Sequence, residues 1–180
     1  SLTAVLLDLR HTGDAEPSEV ADATPRARGT TRTCLEEVRR ISQRLRPGVL
    51  ADLGLLNSLS SLASDLTART GMPVTRGFVP GLPPLTPESE LVVYRVAQEA
   101  LTNVVRHARA TSVSLGLARV GDSVVLTVTD DGTGGADVRR GTGIHGMHER
   151  AQMVGGSLTV ATPEGGGTTV RLSVPAAGTP

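Results

Sequence analysis

Residues 87–108 read PESELVVYRVAQEALTNVVRHA, and everything else in the chain takes its place around them. Thr86-Pro87-Glu88 is a helix start, with a capping hydroxyl, a proline in the first turn and an acid beside it. The spacing predicts one helix to about Ala108. It is apolar over most of its circumference through Leu91, Val92, Tyr94, Val96, Leu101, Val104 and Val105. One stripe breaks the pattern: Arg95, Glu99, Asn103 and His107 follow one another at intervals of four and so share a face. A polar stripe alone is ordinarily a solvated face. Asparagine is mildly unfavourable inside a helix, however, and its amide oxygen is a hard ligand suited to Mg²⁺. A glutamate in register with it can orient or deprotonate an attacking group, and Arg106 or His107 can reach a phosphate.

Downstream, Val113, Leu115 and Leu117 alternate with small or polar residues, Gly121-Asp122 turns, and Val124 to Thr129 makes a second strand. That strand runs into Asp130-Asp131-Gly132-Thr133-Gly134. An Asp-Gly pair usually marks a hairpin turn. Two alternate glycines after a strand-terminal acid also let a flat ligand approach the backbone, and the acid can accept from an exocyclic amine. Gly141-Thr-Gly143-Ile-His-Gly146 has the spacing of a dinucleotide fingerprint, but Asp137-Val-Arg-Arg140 precedes it where that fold needs a buried strand. What remains is a helix N-terminus whose amides bind an anionic phosphate. The glycine-rich segment from Asp131 to Gly146 leads to a helix ending near Val154. Ser157–Thr162 and Thr168–Val174 then form a hairpin around Glu164-Gly-Gly-Gly167.

Upstream, the texture is helical. Leu2, Val5, Leu6 and Leu9 recur at helical spacing without a preceding cap, which predicts a piece cut from a longer chain. Residues 12–31 read as a loop or frayed helix, interrupted by Pro25 and Gly29. Helices are predicted over Thr33–Arg46 and Leu53–Arg69, with Gly71 as the stop. A strand follows over Pro73–Val79. Segregated helices and strands predict an α+β fold, a two-layer sandwich over 71–180 preceded by a helical segment over 1–70.

Composition narrows the function. The 180 residues carry 18 basic and 18 acidic side chains, so there is no basic excess for a nucleic acid. Phe78 and Tyr94 are the sole aromatics, too few for base stacking. No apolar run approaches the roughly 20 residues of a membrane span, and Ser1-Leu-Thr-Ala-Val5 lacks a basic leader region. A lone cysteine, Cys34, fits a reducing cytoplasm. Every basic residue is arginine, a genome-wide bias rather than local chemistry.

Taken in order, QEALTNVVRHA (Gln98–Ala108), DDGTG (Asp130–Gly134), GTGIHGMHER (Gly141–Arg150) and GGGTTVRLSVP (Gly165–Pro175) resemble the N box, two glycine boxes and closing hairpin of the GHKL, or Bergerat-fold, ATP-binding domain. The resemblance spans about Val74 to Pro175. It implies that Asn103 coordinates the Mg²⁺ bridging the ATP phosphates and that Glu99 helps polarise an incoming imidazole. Asp130 reads the adenine amine, and Gly132 and Gly134 make room for the nucleotide. Gly141, Gly143 and Gly146 form a lid and phosphate cradle, Thr168 bonds near the nucleotide, and Arg106 and His107 contact phosphate.

EEVRRISQRLRPGVLADLGLLNSL (Glu36–Leu59) resembles the second dimerisation helix and connector of DesK/NarX-type sensor histidine kinases. This implies a homodimer, a response-regulator partner, and an acceptor histidine upstream of Ser1, so that the chain itself does not autophosphorylate. It also implies a cytoplasmic location with no membrane contact by this chain. An anti-sigma-factor serine kinase or another GHKL ATPase, and a degenerate scaffold module, are the competing readings.

Overall fold

Strands with alternating apolar residues need a layer to bury that alternation. The structure, a computed structural model, describes residues 48–134 and 142–178, all within one compact unit from Gly48 to Pro180. The helices predicted before residue 47 lie outside the described residues. In β2 (Val113–Val120) the inward positions are Val113, Leu115 and Leu117; in β3 (Ser123–Asp130) they include Val124, Leu126 and Val128. β5 (Thr168–Pro175) continues the surface with Val170, Leu172 and Val174. Pairing aligns Leu117 with Leu126, Leu126 with Leu172, and Leu172 with Leu158 of β4 (Ser157–Ala161), so four buried leucines cross the sheet in one row. β1 (Val74–Phe78) joins parallel to β2, while the remaining pairs are antiparallel, in the order β1-β2-β3-β5-β4.

The covering layer is helical. α1 (Gly48–Thr70) contributes Leu59, Ala63 and Leu66 at intervals of four and three. α2 (Pro87–Asn103) contributes Val93, Val96, Ala97, Ala100 and Leu101, and α3 (Thr142–Met153) contributes Met147 and Ala151. These side chains and the sheet's inward face form one core. Each fully buried leucine is worth roughly 1.5–3 kcal/mol relative to an exposed one. Exposed ion pairs such as Arg119–Asp122 at 3.8 Å add little beside that. The predicted α+β sandwich is the fold found.

Three local features differ from the sequence expectation. α1 begins at Gly48 and contains a break at Gly54 (φ 74, ψ 173), a conformation only glycine adopts without strain. Ser58 donates its hydroxyl to the Gly54 carbonyl at 2.7 Å, one turn along from the break. The last turn after α2, Val104–Ala108, is π-helical, and Arg109 then takes a left-handed conformation (φ 51). Finally, α3 starts at Thr142 rather than after Gly146, so Gly143 and Gly146 lie in its first turns.

Candidate functional site

The period of two that buries Val124, Leu126 and Val128 carries one position further to Asp130. A carboxylate therefore occupies a core-facing position at the strand's end, between sheet and helices, and is only 7 % exposed. Such a group needs hydrogen bonds. Its Oδ1 accepts the Gly132 N–H at 2.9 Å. Thr168, the first residue of β5, is the register partner of Asp130, and the neighbouring Thr129 and Thr169 hydroxyls meet at 3.1 Å. Asp130 and Thr168 are thus side by side.

The turn after Asp130 is held on two sides. Toward the helices, Thr133 donates its N–H to the Ala108 carbonyl at 2.8 Å. A Cβ on Gly132 would strike the Ala108 carbonyl and its side chain, so only glycine lets the turn seat against the end of the π-helical segment. Toward the hairpin, the Gly167 N–H donates to the Gly132 carbonyl at 2.6 Å, and a Cβ on Gly134 would lie 2.7 Å from the Gly167 carbonyl. The two threads quoted as Gln98–Ala108 and Gly165–Pro175 are therefore joined through the Asp130–Gly134 turn.

On α2, Arg95, Glu99 and Asn103 are half-buried, which a plainly solvated stripe would not be. Arg95 donates to Gln98 Oε1 at 2.9 Å. The first turn of α3 explains the cover over the other two. A Cβ on Gly143 would collide with the Glu99 carboxylate and lie 3.7 Å from Asn103 Nδ2. A helix start, with its outward amides and positive dipole end, therefore faces a carboxylate and an amide. The π-helical turn changes the angular step after Asn103, so the four-residue register does not continue regularly to His107, which is exposed together with Arg106. Gly146 lies beside the Arg150 guanidinium, and His145 makes an exposed contact with Glu149 at 3.4 Å. Gly141 lies outside the described residues.

Asn103 fits a cation shared with phosphates, because Mg²⁺ takes one or two protein ligands and fills its octahedron with phosphate oxygens and water. Among the described residues, no group of three or more His, Cys, Asp or Glu is gathered for a metal held by protein alone.

Sequence reasoning assigned no separate role to Asp131. Its carboxylate accepts four hydrogen bonds: Thr111 N–H at 2.7 Å, Thr111 hydroxyl at 2.6 Å, Ser112 N–H at 2.9 Å and Ser112 hydroxyl at 2.9 Å. The Thr111 hydroxyl foremost, then the Ser112 amide, holds the Asp131 carboxyl well below the usual aspartate range. The only trace in the sequence is the doubled acid after β3.

The model for the histidine kinase-, DNA gyrase B- and HSP90-like ATPases matches residues 88–178, just over half the chain. The chain belongs to this ATPase family. The oxygen sensor histidine kinase NreB of Staphylococcus carnosus (strain TM300) is 33% identical over 164 residues, covering 89% of this chain and 47% of NreB. The sensor histidine kinase YxjM of Bacillus subtilis (strain 168) is 34% identical over 149 residues, 80% of this chain and 35% of YxjM. This GHKL domain thus spans less than half the length of these curated relatives. Among solved structures, the histidine kinase domain of the Erythrobacter litoralis EL346 blue-light activated histidine kinase matches at TM-score 0.54 and 26% identity, over 66% of this chain and 59% of that one. The Acinetobacter baumannii histidine kinase AdeS, at 12% identity and TM-score 0.58 over 98% and 95% of the two chains, shares the fold. The GHKL resemblance stands: this is a histidine kinase-like ATPase domain of the sensor histidine kinases. Among the described residues, no helix is long and apolar enough to cross a membrane.

Proposed function

We propose that this chain is the catalytic, ATP-binding part of a two-component sensor histidine kinase of the DesK/NarX type. It passes the γ-phosphoryl group of Mg·ATP to a histidine of the dimerisation helices, and an aspartate of a response regulator takes it from there. Residues 71–180 form the catalytic domain, with α1 packed on its core, and the residues before α1 belong to the dimerisation and phosphotransfer segment of a homodimer, working in the cytoplasm. The observation that carries this reading is the inward carboxylate of Asp130 in a turn seated on the end of the Glu99–Asn103 helix.

In this reading Asp130 accepts from the adenine amine, and Gly132 and Gly134 let the purine approach the backbone. Asn103 gives its amide oxygen to Mg²⁺, which when bound neutralises charge on the phosphates. Arg106 and His107 contact phosphate, while Gly141, Gly143 and Gly146 form the lid and phosphate cradle and Thr168 bonds beside Asp130. Glu99 orients the acceptor imidazole, whose nitrogen attacks the γ-phosphorus as ADP leaves. Positioning and charge stabilisation supply most of the catalysis.

Calorimetric titration of ATP with and without Mg²⁺ tests this. The wild-type chain binds ATP with a clear Mg²⁺ dependence; Asn103→Ala loses most of that dependence, and Asp130→Ala weakens binding in both conditions. Absence of Mg²⁺-dependent ATP binding by the wild type refutes the proposal. Phosphoserine on a partner protein without phosphohistidine would support the serine-kinase reading instead.

A further inference from the structure

Between the turn that carries Asp130 and the chain leaving α2 there is a second junction, made entirely by Asp131. Beyond Ala108, the backbone passes through left-handed Arg109 and reaches β2 by way of Thr111 and Ser112. Those two residues present two amides and two hydroxyls to one carboxylate, all within 2.6–2.9 Å. The Asp131 N–H returns a bond to the Ser112 carbonyl at 3.3 Å. Asp131 is exposed and stands outside the hydrophobic core, so its contacts do not build that core. What they do is tie the residue next to Asp130 to the segment just beyond the helix bearing Glu99 and Asn103.

We propose that Asp131 is a positioning residue for nucleotide recognition: it fixes the end of β3 against Thr111 and Ser112 and so sets where the Asp130 carboxylate stands relative to α2. This rests on the reading of Asp130 as the adenine contact. A carboxylate that must meet an exocyclic amine at hydrogen-bonding distance tolerates little displacement, whereas contacts to the triphosphate made from α2 and α3 do not depend on this clamp. Loosening the clamp therefore weakens purine discrimination more than triphosphate binding.

The test compares ATP and GTP binding to the full chain in Mg²⁺ for wild type, Asp131→Ala and Asp131→Asn, with thermal unfolding followed in parallel. Asp131→Ala lowers the ATP-over-GTP preference on the order of tenfold, as expected for a misplaced contact group. Asp131→Asn restores most of it, because its carbonyl still accepts both amides and its NH₂ can donate to the hydroxyl oxygens. Should Asp131→Ala fail to fold, Thr111→Val with Ser112→Ala removes two of the four bonds, keeps both amides, and shifts the preference in the same direction. A lower melting temperature with the wild-type ATP-over-GTP ratio overturns the inference while leaving the ATP-site reading intact. A wild-type chain that does not bind ATP overturns that reading and this one together.

Discussion

Asp130 and Asp131 are neighbours with opposite surroundings. Strand geometry turns the first into the space between the layers, where it is 7 % exposed, and the second outward to a cluster of donors. For Asp131 the donors lower the folded-state pKa beneath its unfolded value. The clamp's contribution to stability is then complete above the ordinary aspartate range and is lost as pH falls through the depressed value. The stability difference between wild type and Asp131→Ala is accordingly flat from about pH 8 to about pH 5 and shrinks below about pH 4. Urea midpoints measured across that range check it, and a difference already shrinking near neutrality would contradict the assignment. Asp130 was legible from the sequence because its context, a strand-terminal acid before two glycines, is local. Asp131 was not, because its partners lie 19 and 20 residues earlier in the chain, and only the folded turn brings them together. The contact of Gly143 with Glu99 escaped for the same reason.

Elements were legible where their ends are chemically marked. The start of α2 is one such place: the Thr86 hydroxyl accepts from the Ser89 N–H at 3.2 Å, Pro87 follows, and Glu88 and Glu90 stand in the first turn. Removing the cap with Thr86→Ala costs about 1 kcal/mol, within a range of about 0.5–2. A fall in the urea midpoint at constant slope reads this out, and Thr86→Ser should recover it. The far end of the same element was less legible. Nothing in the local sequence near Ala108 marks a π-helical turn, or the left-handed Arg109 that follows it. The onset of α3 was misjudged because glycines at 143 and 146 are poor helix formers. Gly143 is nevertheless helical, since its lack of a side chain is what admits the Glu99 carboxylate.

Across the whole molecule, the leucine row Leu117–Leu126–Leu172–Leu158 joins four of the five strands, and α1 shares the core beneath the helices. Leu126→Ala at its centre removes a fully buried side chain and costs about 2–5 kcal/mol. Denaturant unfolding measures it, and a loss under about 1 kcal/mol would mean that the row is not the joint described here. The alternation within each strand made the sandwich legible. Leu55, Leu59, Leu62 and Leu66 recur at intervals of four and three and so share one face of α1, but an apolar face does not say what it will meet. Sequence placed this helix with the amino-terminal segment, whereas Leu59 and Leu66 pack with α2 and the sheet. Tyr94 has a consequence of a different kind. It is the chain's single tyrosine, tryptophan is absent, and the side chain is 7 % exposed on the helix that carries Glu99 and Asn103. Tyrosine emission from this protein, excited at wavelengths where Phe78 does not absorb, therefore originates at one interior point of α2. A change in its intensity when Mg·ATP is added would be an optical report from that helix alone, obtained without attaching a dye.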